Sequence, residues 1–96
     1  MRFWPIRRSP PLRFDSNEAL LGWMDGLAAR LDSVSPADAA RLREGLRCLN
    51  GLTDGWALLW EDVQGIRKHP SAILPDDIIT DLASLDDLLR RMVTRG

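Results

Sequence analysis

Apolar side chains recur every three or four positions from Leu20 onward, at Leu20, Trp23, Met24, Leu27, Leu31 and Val34, with small and charged residues between them. Such spacing stacks one apolar stripe along a helix and predicts a first helix over about residues 16–33. Asp15 followed by Glu18 has the spacing of a capping box with aspartate in the cap position. Ser35-Pro36-Ala37-Asp38 marks a second start: a cap residue, a proline at the first helical position, and an acid at the positive end of the dipole. Leu42, Leu46, Leu49, Thr53, Trp56, Trp60 and Val63 then keep a four-three spacing as far as His69-Pro70.

Periodicity alone reads this stretch as one helix of about 33 residues. Propensity opposes it. Asn50-Gly51-Leu52-Thr53-Asp54-Gly55 contains two glycines, each costing ~1 kcal/mol relative to alanine inside a helix. Asn50-Gly51 can end one helix and Thr53 or Asp54 can cap the next. The balance falls slightly toward a break. Pro75-Asp76-Asp77 opens a last helix whose stripe is Ile78, Leu82, Leu85, Leu89 and Met92, widened by Ile79, Leu88 and Val93 so that it should touch more than one neighbour. Asp86 with Arg90, and Asp87 with Arg91, form acid-first pairs four residues apart.

The expected fold is all-α: a small antiparallel helical bundle of three to four helices with an extended N-terminal arm. With turns near residues 34–35 and 71, Trp23 faces about residue 46, where Gly45 leaves room for its ring, and Trp60 and Trp56 face about residues 84 and 88. An unbroken central helix would leave apolar flanks that a homodimer covers, whereas a break near Gly51 closes a compact four-helix bundle.

The phrase Gly-x-x-Asp-Gly-x-Ala occurs twice, from Gly22 to Ala28 and from Gly51 to Ala57. Both copies are expected at one helical phase, with Asp25 and Asp54 facing water and the glycines on a flank open to another backbone, so the repeat reads as packing and not as a site.

Residues 1–14, MRFWPIRRSPPLRF, differ from the rest. Pro5, Pro10 and Pro11 push their neighbours out of helical conformation, which divides the chain into an extended arm (1–14) and one helical domain (15–96). The arm carries four arginines and no acid, whereas the remainder carries nine cations against fourteen acids. No apolar run approaches the ~20 residues of a membrane-spanning helix. The first eight residues have no apolar stretch of the secretory kind, and Cys48 is the only cysteine, so a cytoplasmic location is expected. Twelve arginines against one lysine point to GC-rich coding and a bacterial or phage source.

Candidate chemistry is sparse. His69 reads as a helix-end cation, Cys48 as a small packed hydrophobe, and the acids Asp76, Asp77, Asp81, Asp86 and Asp87 as a solvated face without the Glu-x-x-His pairs or loop spacing of metal proteins. No catalytic residue, metal ligand or cofactor is assigned. The arm interleaves Arg with aromatic and proline residues, the composition of a segment that packs on its own body, enters a groove on another protein, or touches phosphates. The leading expectation is a non-enzymatic interaction module, an adaptor, assembly factor or regulatory subunit, anchored by Phe3, Trp4, Arg7, Arg8 and Phe14 and by an apolar flank at Leu58, with Ile73 and Leu74 nearby. The second is a nucleic-acid-associated regulator whose arm contacts phosphates.

Overall fold

The computed structural model describes residues 14–49 and 53–95, with side chains to Thr94. Phe3, Trp4, Arg7, Arg8, Asn50, Gly51 and Leu52 lie outside the described residues. Four helices follow one another: α1 (Asn17–Val34), α2 (Pro36–Cys48), α3 (Gly55–Lys68) and α4 (Asp76–Arg95). Among the described residues there is no strand. Each helix packs on the next, and α4 returns to touch α1, so the four close a ring of antiparallel neighbours.

The first helix begins one residue later than the Asp15–Glu18 pattern suggests. Ser16 is the cap: its hydroxyl oxygen accepts from the Ala19 N–H at 3.2 Å, while Asp15 is exposed. Leu20, Met24, Leu27, Ala28 and Leu31 are buried along α1, and Trp23 lies half-buried beside them. Val34 falls off the stripe and is exposed. In α4 most of the expected stripe is observed, with Ile78, Leu82, Leu85 and Leu89 buried and Leu88 and Met92 packed at its margin, while Ile79, expected to widen it, is exposed.

The central segment is two helices. Because α3 starts afresh at Gly55, its phase is not inherited from α2, and the four-three spacing that runs through Thr53, Trp56 and Trp60 misplaces the seam. Leu59, Val63 and Ile66 are fully buried, Trp56 and Trp60 are half-buried at the edge of the core, and Thr53 is exposed. Asp54 occupies the N-cap of α3 through its carbonyl, which accepts from Leu58 N–H at 3.1 Å, and its side chain makes no capping bond.

Two glycines set how close α2 and α3 come. A Cβ on Gly45 would stand 2.8 Å from Leu59 Cδ1 and from Asp62 Oδ2, so the space at Gly45 is taken by α3 and not by the Trp23 ring. A Cβ on Gly55 would meet the Cys48 carbonyl oxygen at 2.5 Å, a backbone atom with no freedom to swing aside. The two copies of the doubled phrase therefore differ. Around Gly22 and Gly26 there is open space, and with Asp25 they lie on the exposed side of α1, while Met24, Leu27 and Ala28 of the same copy are core; in the second copy Gly55 is buried under a backbone at the start of α3.

The opposite end of the bundle is closed by a charge. Asp38, in the first turn of α2, is completely buried. Its carboxylate accepts from the Ser35 hydroxyl at 2.8 Å, from the Ser71 backbone N–H at 2.8 Å and from Arg41 Nη1 at 3.0 Å. The same Arg41 nitrogen donates to the His69 carbonyl at 2.9 Å, its guanidinium crossing α3 over Gly65, where a Cβ would come within 2.8 Å of it. Ser35 thus does not cap α2 with its side chain as the sequence pattern suggests, because its hydroxyl is spent on Asp38. The turn between α1 and α2 and the linker between α3 and α4 are tied to one carboxylate.

Burial alone would raise the Asp38 pKa, but the hydrogen bonds from Ser71, Ser35 and Arg41 outweigh it and hold the carboxyl below its ordinary value. A carboxyl depressed in the folded state stabilises the fold above its unfolded pKa, and that contribution is lost as pH falls through the folded value. Asp38→Ala leaves a serine hydroxyl, a backbone N–H and a guanidinium short of an acceptor and should cost about 3 kcal/mol at neutral pH. In urea titrations the gap between the native chain and the variant should narrow steadily below about pH 4; a gap independent of pH would show that Asp38 acts by packing alone. The glycines make a separate contrast. Gly26→Ala, in open space on a helix, should stabilise by ~0.5–1 kcal/mol, whereas Gly55→Ala should destabilise, both read from thermal unfolding.

Candidate functional site

The described body uses its arginines on itself. Arg30 of α1 reaches Asp77 at 3.2 Å and pairs also with Asp81, both on α4. Arg43 pairs with Asp32 at 2.7 Å across α2 and α1, and Arg47 with Glu44 at 3.1 Å within α2. Asp86, expected to pair with Arg90, turns toward α3 instead. It accepts from the Trp60 indole N–H at 2.7 Å and from Arg67. Arg90 and Arg91 both pair with Asp87, at 2.6 and 3.1 Å. Every arginine from Arg30 to Arg91 is therefore in an ion pair, and four of the five acids read as a solvated face are engaged by arginines.

Titration follows from these pairs. The hydrogen bond to Asp81 is the main cause that raises the Arg30 pKa, and the hydrogen bond from Arg90 is the main cause that lowers that of Asp87. Asp62, half-buried against Gly45, goes the other way. Burial pushes its carboxyl up, with Arg41 opposing and Glu44 and Glu61 adding to the rise. His69 ends α3, where its backbone N–H donates to the Gly65 carbonyl and its side chain is exposed. Cys48 closes α2, half-buried. Among the described residues no group of three or more His, Cys, Asp or Glu side chains could hold a metal ion, and no helix is long and apolar enough to cross a membrane.

Among the described residues, two apolar surfaces border a groove or cleft. At the root of the arm, Phe14 is half-buried, its ring 5.9 Å from that of Trp23 and tilted by 53°. It borders a shallow groove with Leu20, Leu88 and Met92, between the start of α1 and the end of α4. Phe14 is therefore packed with the helical body, and its aromatic partner is Trp23. Leu58, the other described anchor expected from sequence, is half-buried in the first turn of α3.

The second surface is at the far end. Pro70, Ser71, Ile73, Leu74, Ile79 and Leu82 line an open cleft of about 530 Å³ between the α3–α4 linker and α4, with Arg67 at its edge. Ile73 is 97% exposed and Ile79 48% exposed. Leu58 and Ile73 do not form one patch, because Leu58 opens α3 and Ile73 lies beyond its end, about 15 Å or more along the helix axis. Sequence reasoning treated Ile73 as an adjunct to Leu58. The signal that sets it apart is local: an apolar pair, Ile73-Leu74, confined between Pro70 and Pro75 in a segment that cannot be helical.

Comparison with known protein families, with characterised proteins and with solved structures finds no match for this chain.

The Phe14–Trp23 contact generates a test of where the arm ends and the body begins. Phe14→Ala removes half-buried aromatic area and should lower stability by about 1–2 kcal/mol, a fall in Tm of about 5–10 °C for a domain of this size. An unchanged Tm by circular dichroism would place Phe14 with the arm.

Proposed function

We propose that this protein is a non-enzymatic interaction module, an adaptor, assembly factor or regulatory subunit, that engages a partner protein through its N-terminal arm and the apolar flank of the body at Leu58. The observation that carries the reading is the fate of the body's polar groups. Asp38, Asp77, Asp81, Asp86 and Asp87 are engaged in ion pairs within the chain, most of them at its surface, and the arginines from Arg30 to Arg91 are bound to them and to Asp32 and Glu44. A catalytic carboxylate needs a reacting group within hydrogen-bond reach, whereas these carboxylates reach other parts of the same chain. The arm is different in kind. Its four arginines stand among Phe3, Trp4 and Phe14 with no acid of their own, and Arg with aromatic side chains dominates the energetics of protein interfaces. Phe14, the one residue of that segment whose surroundings are described, packs on Trp23.

Pairing of the body's arginines also weighs against a phosphate-tracking face. Nucleic-acid binding of useful strength draws on many cations free to replace counterions, and here such cations are concentrated in the arm.

The test is quantitative capture from a nuclease-treated lysate with the full chain and with a chain carrying Trp4→Ala and Arg8→Ala. The expected result is a stoichiometric protein retained by the native chain and reduced at least tenfold by the double substitution, with helical content unchanged by circular dichroism. Equal recovery on both would overturn the role of the arm. Binding to DNA or RNA that falls steeply with salt, in place of a captured protein, would replace this reading with the nucleic-acid one.

A further inference from the structure

The cleft beside the α3–α4 linker has a feature that decides what fits it. A hole and a projecting apolar side chain occur on the same small patch. Ile73 is exposed almost entirely while helping to form the rim of a cleft whose walls include Leu74, Ile79 and Leu82. Its position is fixed from both sides. Two residues earlier the Ser71 N–H is held by the buried Asp38 carboxylate, and one residue later Leu74 is buried in the core. A side chain held out in this way loses little freedom when it is covered, which lowers the cost of association.

The charges around the patch are of both signs. Lys68 ends α3 on one side of the linker, and Asp76 begins α4 on the other. Both are exposed, and neither has an ion-pair partner among the described residues. Because Lys68 and Asp76 stand at the two ends of the linker, a second copy related by a two-fold axis through it would set the cationic end of one against the acidic end of the other, with each Ile73 entering the other's cleft. That is the self-complementarity an isologous interface requires. The chain's own arm fits less well, because its four arginines have the same sign as Lys68.

We infer that the α3–α4 linker is a homodimer interface, with Ile73 of each copy seated in the cleft formed by Leu74, Ile79 and Leu82 of the other and flanked by reciprocal Lys68–Asp76 pairs. The patch is small, so the dimer is of the weak, reversible class. The interface is separate from the arm and from Leu58, and stands or falls independently of the function proposed above.

Sedimentation equilibrium of the full chain from about 5 to about 500 µM, a range that brackets weak association, tests it. The expected behaviour is a monomer–dimer equilibrium within that range. Ile73→Glu should weaken it at least tenfold; because the side chain is exposed in the monomer, its circular dichroism and Tm should stay at native values. Lys68→Glu should weaken dimerisation, and adding Asp76→Lys to it should recover most of the loss. A monomer at every concentration would overturn the inference. So would a dimer indifferent to Ile73→Glu, since its interface would then lie elsewhere, and a charge reversal without recovery would remove the reciprocal pair.

Discussion

The fold depends on a carboxylate without access to water. A buried charge is costly unless its acceptor positions are filled, and the donors that fill those of Asp38 come from separate parts of the chain: the hydroxyl of the α1–α2 turn, the guanidinium one turn along α2, and a backbone N–H in the α3–α4 linker. They converge only when α2 and α3 lie antiparallel with their ends level. The apolar stripes of four amphipathic helices cannot impose this by themselves, because hydrophobic burial is non-directional and tolerates sliding. Asp38 supplies direction. Arg41 extends its reach by binding the His69 carbonyl, so that the C-terminal end of α3 is gripped as well as the linker after it.

At the other end of the bundle the constraint is steric. Gly55 lies so near the Cys48 carbonyl that no side chain fits between them, and Gly45 lets Leu59 and Asp62 approach α2 closely. Register is thus fixed by hydrogen bonds where α2 begins and by absent side chains where it ends. The remaining ion pairs contribute less. Most involve half-exposed or exposed groups, and such pairs add between nothing and about 1 kcal/mol each. Their greater effect is on the surface, where arginines bound to aspartates no longer present free positive charge.

What could be read beforehand follows from this division. The first and last helices were legible because Leu20 to Leu31 and Ile78 to Leu89 are uninterrupted stripes, and periodicity is a local property. The seam of α3 was legible only at Val63, although the break before it was legible. Trp56 and Trp60 continue the spacing of Leu42, Leu46 and Leu49 by coincidence, and only the new start at Gly55 turns Leu59, Val63 and Ile66 inward. Ser35-Pro36-Ala37-Asp38 correctly marked a helix start, yet its serine and aspartate serve a contact 33 residues away at Ser71, which no local pattern encodes. The glycines divide: Gly55 does meet another backbone, as a flank of small residues suggests, whereas Gly22 and Gly26 meet nothing among the described residues on their side of α1. Of the proposed anchors, Phe14 and Leu58 are the two whose surroundings are described, and the partner of Phe14 emerged only with the packing of α1.

The buried charge also holds the linker beside which the molecule exposes apolar surface. Between α3 and α4 the chain must turn within a short linker that begins near Pro70 and ends at Pro75, and Asp38 claims Ser71 while the core claims Leu74. With Ser71 held on one side and Leu74 buried on the other, Ile73 projects outward beside the cleft. A single carboxylate in the first turn of α2 therefore ties the alignment of the bundle to the path of the linker that carries Ile73.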